Sequence, residues 1–97
     1  MRDVFAALSS PIRREVLTLL KDGSKSAGEL SAAFGVSRAT MSTHFAILKE
    51  AGLIEADRDG TRILYALRLS VLEEAMAGLM DTLRLGEAAG RKEGEAT

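Results

Sequence analysis

The chain has 97 residues, a formal net charge of −1 and no cysteine, and 46% of its residues are hydrophobic against 28% charged. This size and composition predict one folded domain, and the missing cysteines exclude disulfides, thiolate metal sites and cysteine nucleophiles. Residues 1–70 carry ten basic and eight acidic side chains, whereas residues 71–97 carry three and six. A net charge near zero over the whole chain therefore does not exclude a nucleic-acid binder, because small modules read DNA with a local basic face.

The first part of the chain predicts two helices. Residues 3–9 favour a short helix with its larger apolar residues on one side. Ser10 is a good N-cap and Pro11 suits a first helical position, so a second helix is expected over residues 11–21. Gly23 follows at the place of a C-terminal glycine.

Two further helices are predicted in close succession. Ser26 and Glu29 have the spacing of a capping box, which begins a helix with Leu30, Ala33 and Phe34 inward. Gly35 ends that helix, and Ser37 then caps the next. Short helices joined by a glycine-containing turn are the pattern of a helix-turn-helix unit.

A hairpin and a last helix complete the predicted elements. The runs LIEADR and TRILYAL are separated by Asp59-Gly60, a strong hairpin signal. Ser70 is predicted to cap the last helix. Its apolar stripe consists of Val71, Leu72, Ala75, Met76, Leu79, Met80 and Leu83.

No part of the chain is predicted to cross a membrane. No N-terminal stretch has the apolar core of a signal peptide and no run reaches membrane-spanning length, so we expect a cytoplasmic protein without membrane insertion.

Residues 86–97 contain three glycines and no apolar residue larger than alanine. We therefore predict one domain over residues 1–85 and a disordered tail over residues 86–97.

The helix that follows Ser37 and runs to about Ala51 has two different faces. On a wheel of 100° per residue, Met41, His44, Phe45, Ile47 and Leu48 share one broad arc that can be buried. The opposite face is small and lacks carboxylates, and it consists of Ala39, Ser42, Thr43, Ala46 and Lys49. Such a face can enter a DNA major groove, with Arg38 and the free N–H groups of the first turn facing a phosphate. The alternative is a solvent-exposed helix face with a serine cap.

The hairpin tip carries a weaker signal for DNA. Arg58 and Arg62 flank the tip residues, and arginines there can lie along the sugar-phosphate backbone or touch a minor groove. Asp57 and Asp59 oppose this interpretation by their charge.

Three stretches resemble the ArsR/SmtB family of bacterial winged-helix repressors. ALSSPIRREVLTLL resembles that family's opening, ALsdPtRrxILxLL. SAGELSAAFGVSRATMSTHFAILKEAGLI resembles its helix-turn-helix followed by LkxAGLv, and RDGTRILYAL resembles its wing, RxGxxxxYxL. The resemblance covers residues 3–85 and is nearest to the cysteine-free, SdpR-like autorepressor branch.

The resemblance implies a mainly α, α+β winged-helix fold of about five helices with a two-stranded antiparallel wing. It also implies a homodimer, formed through the first and last helices, that represses a promoter. It places Ser37, Arg38, Ala39, Ser42 and Thr43 on recognition-helix positions, and Arg58 and Gly60 on wing positions. The predicted set of DNA contacts is completed by the neighbouring Thr40, Lys49, Thr61 and Arg62. Thr43 departs from the family's frequent S-H-H-L, in which a histidine stands at that place.

The predicted dimer interface combines apolar residues of the first and last helices. The apolar stripe of the last helix is wide enough for its outer side to pack against a symmetry mate, and the apolar residues of the first helix are interpreted in the same way. The residues assigned to it are Val4, Phe5, Leu8, Leu72, Met76, Leu79, Met80 and Leu83. Met76 and Met80 could instead border a small-molecule pocket, but dimer or core packing is the better interpretation.

No metal or cofactor is expected. The single histidine, His44, is interpreted as a partly buried side chain with an ordinary hydrogen-bond partner. The acidic residues of the last helix are interpreted as its solvent-exposed face rather than as a metal site with carboxylate ligands. They are Glu73, Glu74 and Asp81. Metals that prefer thiolates have no ligands in this chain.

Two functions remain open at this point. The first is a homodimeric DNA-binding repressor that acts on an inverted-repeat operator, including one in its own promoter, and that a regulatory protein partner could release. The alternative is a winged-helix protein–protein interaction module without DNA binding. An enzyme is not expected, because the chain offers no plausible triad and no glycine-rich phosphate loop.

Overall fold

The computed structural model describes residues 3–84, which form five α-helices and a small antiparallel sheet. In chain order the elements are α1 (Val4–Ala7), α2 (Pro11–Leu19), a 3₁₀ turn (Leu20–Asp22), β1 (Lys25–Ser26), α3 (Ala27–Ala32), α4 (Arg38–Glu50), β2 (Ile54–Asp59), β3 (Arg62–Leu67) and α5 (Leu69–Thr82). The mainly α winged-helix fold expected from the sequence is confirmed. Within residues 3–84 no helix is long and apolar enough to cross a membrane. The predicted tail over residues 86–97 lies outside the described residues.

Serine caps begin α2 and α3 where the sequence predicts them. The Ser10 side chain accepts the Arg13 N–H at 3.2 Å, and Pro11 occupies the first turn of α2. Ser26 and Glu29 form a complete capping box, in which Ser26 Oγ accepts the Glu29 N–H at 3.0 Å and Glu29 Oε1 accepts the Ser26 N–H at 2.8 Å. Each cap satisfies backbone donors that have no partner inside the helix, so these starts are set by local chemistry.

Glycine ends α4 as expected. Gly52 adopts a φ of +81°, and the Leu53 N–H donates to the Leu48 carbonyl at 3.0 Å. The Gly52 N–H donates to the Lys49 carbonyl at 2.9 Å, which completes a Schellman pattern. This turn brings Leu53 and Ile54 straight into the core at the start of β2, where both are buried.

One continuous core lies between α2, α3, α4 and the sheet. Its buried residues are Ala7, Val16, Leu17, Leu20, Leu30, Met41, Phe45, Leu48, Ala51, Leu53, Ile54 and Tyr65. Two residues predicted to point inward lie at the surface. Ala33 is exposed because α3 has already ended at Ala32, and Ile47 stays 36% exposed at the edge of the buried arc of α4.

The sheet has three strands in the order β1-β3-β2, whereas the sequence predicts two. The additional strand pairs Lys25 with Tyr65 and Ser26 with Leu64. A strand of two residues is too short to show alternation, so no sequence pattern could indicate it. Its position matters, because Ser26 both ends β1 and caps α3.

The wing turn lies one residue later than predicted. Asp59 pairs with Arg62, so Gly60 and Thr61 form the two-residue loop. Gly60 has a φ of +66° and Thr61 does not have a positive φ, a combination that matches the glycine-first type II′ hairpin turn.

The predicted cap of the last helix is wrong. Helix α5 begins at Leu69, the N-cap position is Arg68 without a side-chain hydrogen bond, and Ser70 lies inside the first turn. The start of α5 is held instead by the residue that precedes β2, because the Arg68 N–H donates to the Leu53 carbonyl at 2.8 Å. Tertiary contact replaces the local cap at this helix.

Candidate nucleic-acid interface

Helix α4 is anchored to the core by its apolar side. Met41, Phe45 and Leu48 are buried, and the ring centroids of Phe45 and Tyr65 lie 4.7 Å apart at an interplanar angle of 34°. Because Tyr65 belongs to β3, this contact fixes the helix against the middle of the wing. The opposite side of α4 is thereby held away from the core.

That opposite side is the predicted recognition face. From Arg38 to Lys49 the helix contains no carboxylate. Its exposed residues in this range, apart from Ile47 at the edge of the buried arc, are Arg38, Ala39, Thr40, Ser42, Thr43, Ala46 and Lys49. We call this surface the α4 face. Its side chains are short except for Arg38 and Lys49 at its two ends, so the middle of the face presents only small groups.

The hydroxyl groups of the α4 face and its cap differ in how they are bonded. Ser37 Oγ accepts the Thr40 N–H at 3.1 Å and donates to Thr40 Oγ1 at 3.0 Å, so this pair maintains the cap. Thr43 Oγ1 donates to the Ala39 carbonyl at 3.3 Å. The Ser42 hydroxyl has no such bond within residues 3–84, and it is the hydroxyl most available to a ligand.

The wing tip lies beside the start of α4. Arg38, Thr61 and Arg62 line one cleft of about 240 Å³, together with Gly28 at the beginning of α3. Arg62 Nη2 lies 4.0 Å from Glu29 Oε1, and both side chains are more than half exposed. Two arginines and a hydroxyl from separate elements therefore face a common space.

A second cleft joins the far end of α4 to the hairpin. Lys49 and Arg58 line it with Asp57 and Tyr65, and its volume is about 190 Å³. The predicted helix and wing residues are thus grouped at both ends of α4. Gly60 stands at the exposed tip of the hairpin.

Sequence reasoning missed one residue that positions α4. The guanidinium of Arg13 reaches from α2 to His44, with Nη1 and Nδ1 3.1 Å apart. Arginine only donates, so Nδ1 is the acceptor and the neutral ring carries its proton on Nε2. Burial, followed by the positive charge of Arg13, lowers the pKa of His44 below its ordinary value. The two residues are 31 positions apart, and no spacing rule could have paired them.

The residues predicted for dimerisation are exposed or half-buried in the single chain. No residue of α5 is buried. Phe5, Leu79, Met80 and Leu83 are 44%, 38%, 48% and 57% exposed, respectively. Val4, Leu8, Leu72 and Met76 are half-buried. No group of three or more His, Asp or Glu side chains that could hold a metal forms in the described part of the chain.

Comparison with known proteins matches this arrangement to one family. The family model described as bacterial regulatory protein, arsR family, matches residues 10–56, which run from the start of α2 into the wing. The transcriptional repressor SdpR of Bacillus subtilis is 37% identical over 87 residues, which are 90% of this chain and 97% of that protein. The chain belongs to the ArsR family.

Other relatives agree with this membership. The HTH-type transcriptional regulator YgaV of Escherichia coli is 37% identical over 79 residues, covering 80% of this chain and 76% of YgaV. An ArsR-like transcriptional regulator from Rhodococcus sp. RHA1 superimposes with a TM-score of 0.74 at 32% identity, covering 96% of this chain and 85% of that one. The transcriptional repressor BigR of Xylella fastidiosa superimposes with a TM-score of 0.65 at 27% identity, covering 82% and 81%.

This ArsR-family chain is therefore a DNA-binding transcriptional regulator of the winged helix-turn-helix type, as the sequence motifs predict. The relatives named above are regulators of transcription, and they lend no support to a protein-interaction module without DNA binding.

Proposed function

We propose that this ArsR-family regulator is a repressor that binds an inverted-repeat operator in double-stranded DNA as a homodimer. The observation that carries the proposal is the α4 face: short, free of carboxylates, and bordered at both ends by clefts that contain wing arginines. Acidic side chains on such a face would be repelled by phosphates, and large ones would keep the helix out of the major groove.

The proposed contacts divide into two kinds. Ser42 and Thr43, with Ala39 and Ala46 beside them, face base edges in the major groove, where hydroxyls bond to bases and alanine methyls meet thymine methyls. The remaining predicted residues face the backbone or the minor groove and set the register of the protein on DNA. They are Ser37, Arg38, Thr40, Lys49, Arg58, Gly60, Thr61 and Arg62.

The homodimer is supported by the uncovered apolar strip of α5. Leu79, Met80 and Leu83 expose between 38% and 57% of their surface in the single chain. Together with Phe5 of α1 they offer an apolar area that a symmetry mate can cover, and a stable pair usually buries roughly 800 Å² per partner. A two-fold dimer would then set its α4 helices about 34 Å apart, on successive major grooves.

The proposed place of action is the bacterial cytoplasm, where the chromosome is found, and the proposed role is regulatory rather than enzymatic. Occupation of a promoter by the dimer would block transcription. The protein's own promoter is the first candidate operator, because the sequence resembles an autorepressor branch.

The test is binding of the purified protein to labelled DNA from its own promoter, measured by fluorescence anisotropy. Scrambled DNA of the same length is the control, and each duplex is measured at 50 and 200 mM salt. We expect selective binding that weakens steeply with salt, because each neutralised phosphate releases counterions. A footprint would then show an imperfect inverted repeat.

Two variants connect binding to the α4 face. Ser42→Glu places a carboxylate in the proposed groove contact, and we expect at least about a 100-fold loss of affinity. Ser70→Glu places the same charge on the exposed first turn of α5, and it should bind as the wild type does. A folded dimer that binds no promoter DNA selectively, or equal losses in both variants, would contradict the proposal.

A further inference from the structure

The carboxylate of Glu29 is held rigidly beside the DNA-facing cleft. Its Oε1 accepts the Ser26 N–H at 2.8 Å, and its own N–H donates to Ser26 Oγ at 3.0 Å. The hydrogen bonds from the Ser26 backbone and side chain, followed by the charges of Arg62 and Lys25, lower the pKa of Glu29. These interactions therefore favour the ionised form of the Glu29 carboxyl group.

The same oxygen that closes the capping box faces the wing. Glu29 Oε1 lies 4.0 Å from Arg62 Nη2, with 61% and 57% of the respective side chains exposed. An exposed pair at this separation contributes little to stability, because water and salt screen it. Arg62 can therefore leave Glu29 without loosening the fold.

The cleft next to this pair has the chemistry of a phosphate site. Arg38 contributes from the start of α4, and Arg62 and Thr61 contribute from the wing. Gly28 contributes no side chain, and a Cβ built on it would meet only Ser26 Oγ, at 3.9 Å. Among the described residues no carboxylate lines the cleft, and the ion pair of Arg62 is with Glu29 at its edge.

We propose that Glu29 and a DNA backbone phosphate compete for Arg62, so that Glu29 lowers the affinity of this protein for DNA. The inference rests on the proposed DNA-binding function and adds to it a residue that sets affinity from outside the α4 face. Without DNA, Arg62 stays with Glu29. When DNA binds, Arg62 turns into the cleft and joins Arg38 and Thr61 on one phosphate. Glu29 remains in its capping box throughout.

The capping box allows this competition to be tested without disturbing the fold. Glutamine also completes a capping box, so Glu29→Gln removes the charge and keeps the cap. The chain supplies a matched control in Glu55, which pairs with Arg68 at 3.3 Å with similar exposure. Glu55 is opposite Ala66, toward the base of the hairpin and away from its tip. Glu55→Gln therefore breaks the same kind of ion pair at a place remote from the cleft.

Affinities are measured by anisotropy on both promoter DNA and a scrambled duplex in about 100 mM salt. We expect Glu29→Gln to bind both duplexes about 5-fold more tightly than the wild type, because a phosphate contact is independent of sequence. Glu55→Gln should stay within about 2-fold of the wild type. Circular dichroism and thermal unfolding establish that all variants are folded.

A double-mutant cycle shows whether the gain passes through Arg62. In an Arg62→Gln background, Glu29→Gln should change affinity by less than about 2-fold, since no cation remains to be released. A 5-fold gain that persists in that background would overturn the competition, as would equal effects of Glu29→Gln and Glu55→Gln. Both results leave the proposed repressor function intact. That function fails separately, and this inference with it, if the wild type binds neither duplex.

Discussion

Arg13 and His44 join α2 to α4 through a single hydrogen bond of 3.1 Å between Nη1 and Nδ1. The same guanidinium also donates to the carbonyls of Ala7 at 2.7 Å and Ala6 at 3.1 Å, at the end of α1. One side chain therefore holds α1, α2 and α4 in a common arrangement. The orientation of the α4 face depends on a residue that is remote from that face.

The surroundings of His44 make stability depend on pH in a defined direction. Burial and the charge of Arg13 lower the pKa of His44 below the 6.5 of the unfolded chain, so the unfolded chain binds this proton more readily. The stabilisation of the fold that comes from neutral His44 is fully present above about pH 7. It is lost as the pH falls through 6.5 toward the lower pKa of the folded protein.

Urea unfolding at pH 7.5 and 5.5 tests this expectation. The wild type should lose more free energy of unfolding between the two pH values than His44→Asn, whose amide oxygen can still accept from Arg13 but does not titrate. The carboxylates titrate equally in both proteins and cancel in the comparison. Identical losses would show that His44 has the same pKa in the folded and the unfolded protein.

Neighbouring residues of α4 should differ sharply in their effect on stability. Leu48 is fully buried and Ile47 is 36% exposed. Leu48→Ala should cost about 2–5 kcal/mol, because it removes buried methyl groups and leaves a cavity. Ile47→Ala should cost less than about 1 kcal/mol. Denaturant unfolding measures both values, and a reversed order would mean that α4 is rotated about its axis relative to the arrangement described.

Helix α5 should carry the dimer rather than the fold of the monomer. Met80→Glu places a charge in the exposed apolar strip, and we expect dimerisation to weaken at least about 10-fold. Ala77→Glu changes a residue on the polar face that also carries Glu73 and Asp81, and it should leave association unchanged. Sedimentation equilibrium with circular dichroism distinguishes these outcomes, and a folded wild-type monomer at high concentration would refute the proposed interface.

The wing tip should tolerate asparagine better than alanine at residue 60. Gly60 has a φ of +66°, and a Cβ built there meets no atom within 4 Å, so any cost is conformational rather than steric. Gly60→Ala should lower the free energy of unfolding by about 1–2 kcal/mol. Gly60→Asn should lower it less, because asparagine adopts this conformation more readily. Equal costs in urea unfolding would argue against the left-handed turn.

The sequence predicts those parts of the fold that local chemistry determines. Ser10, Ser26 and Ser37 cap helices where their spacing indicates, because each cap involves groups within three residues. The α4 face could be assigned because large apolar residues recur at helical spacing on one side of the helix and small polar residues on the other. Whether its members contact DNA stays a prediction.

The missed features depend on contacts between distant residues. Strand β1 exists only because Ser26 meets Leu64, and the start of α5 is held by the Leu53 carbonyl rather than by Ser70. The same holds for Arg13, whose three acceptors lie in α1 and α4. A single sequence contains no signal for such pairings, since the local sequence around each partner shows no pattern that points to the other.

Ser26 belongs to the sheet and to the helix-turn-helix at once, because it pairs with Leu64 of the wing and caps α3. The ring contact between Phe45 of α4 and Tyr65 of β3 joins the wing to α4 as well, so the spacing of these elements is set by packing within the protein. Under the proposed function, a duplex whose grooves do not match this spacing has to bend or twist to meet both elements, and the energy of that deformation depends on its base steps. Operators would then be distinguished partly by the stiffness of base pairs that no side chain reaches.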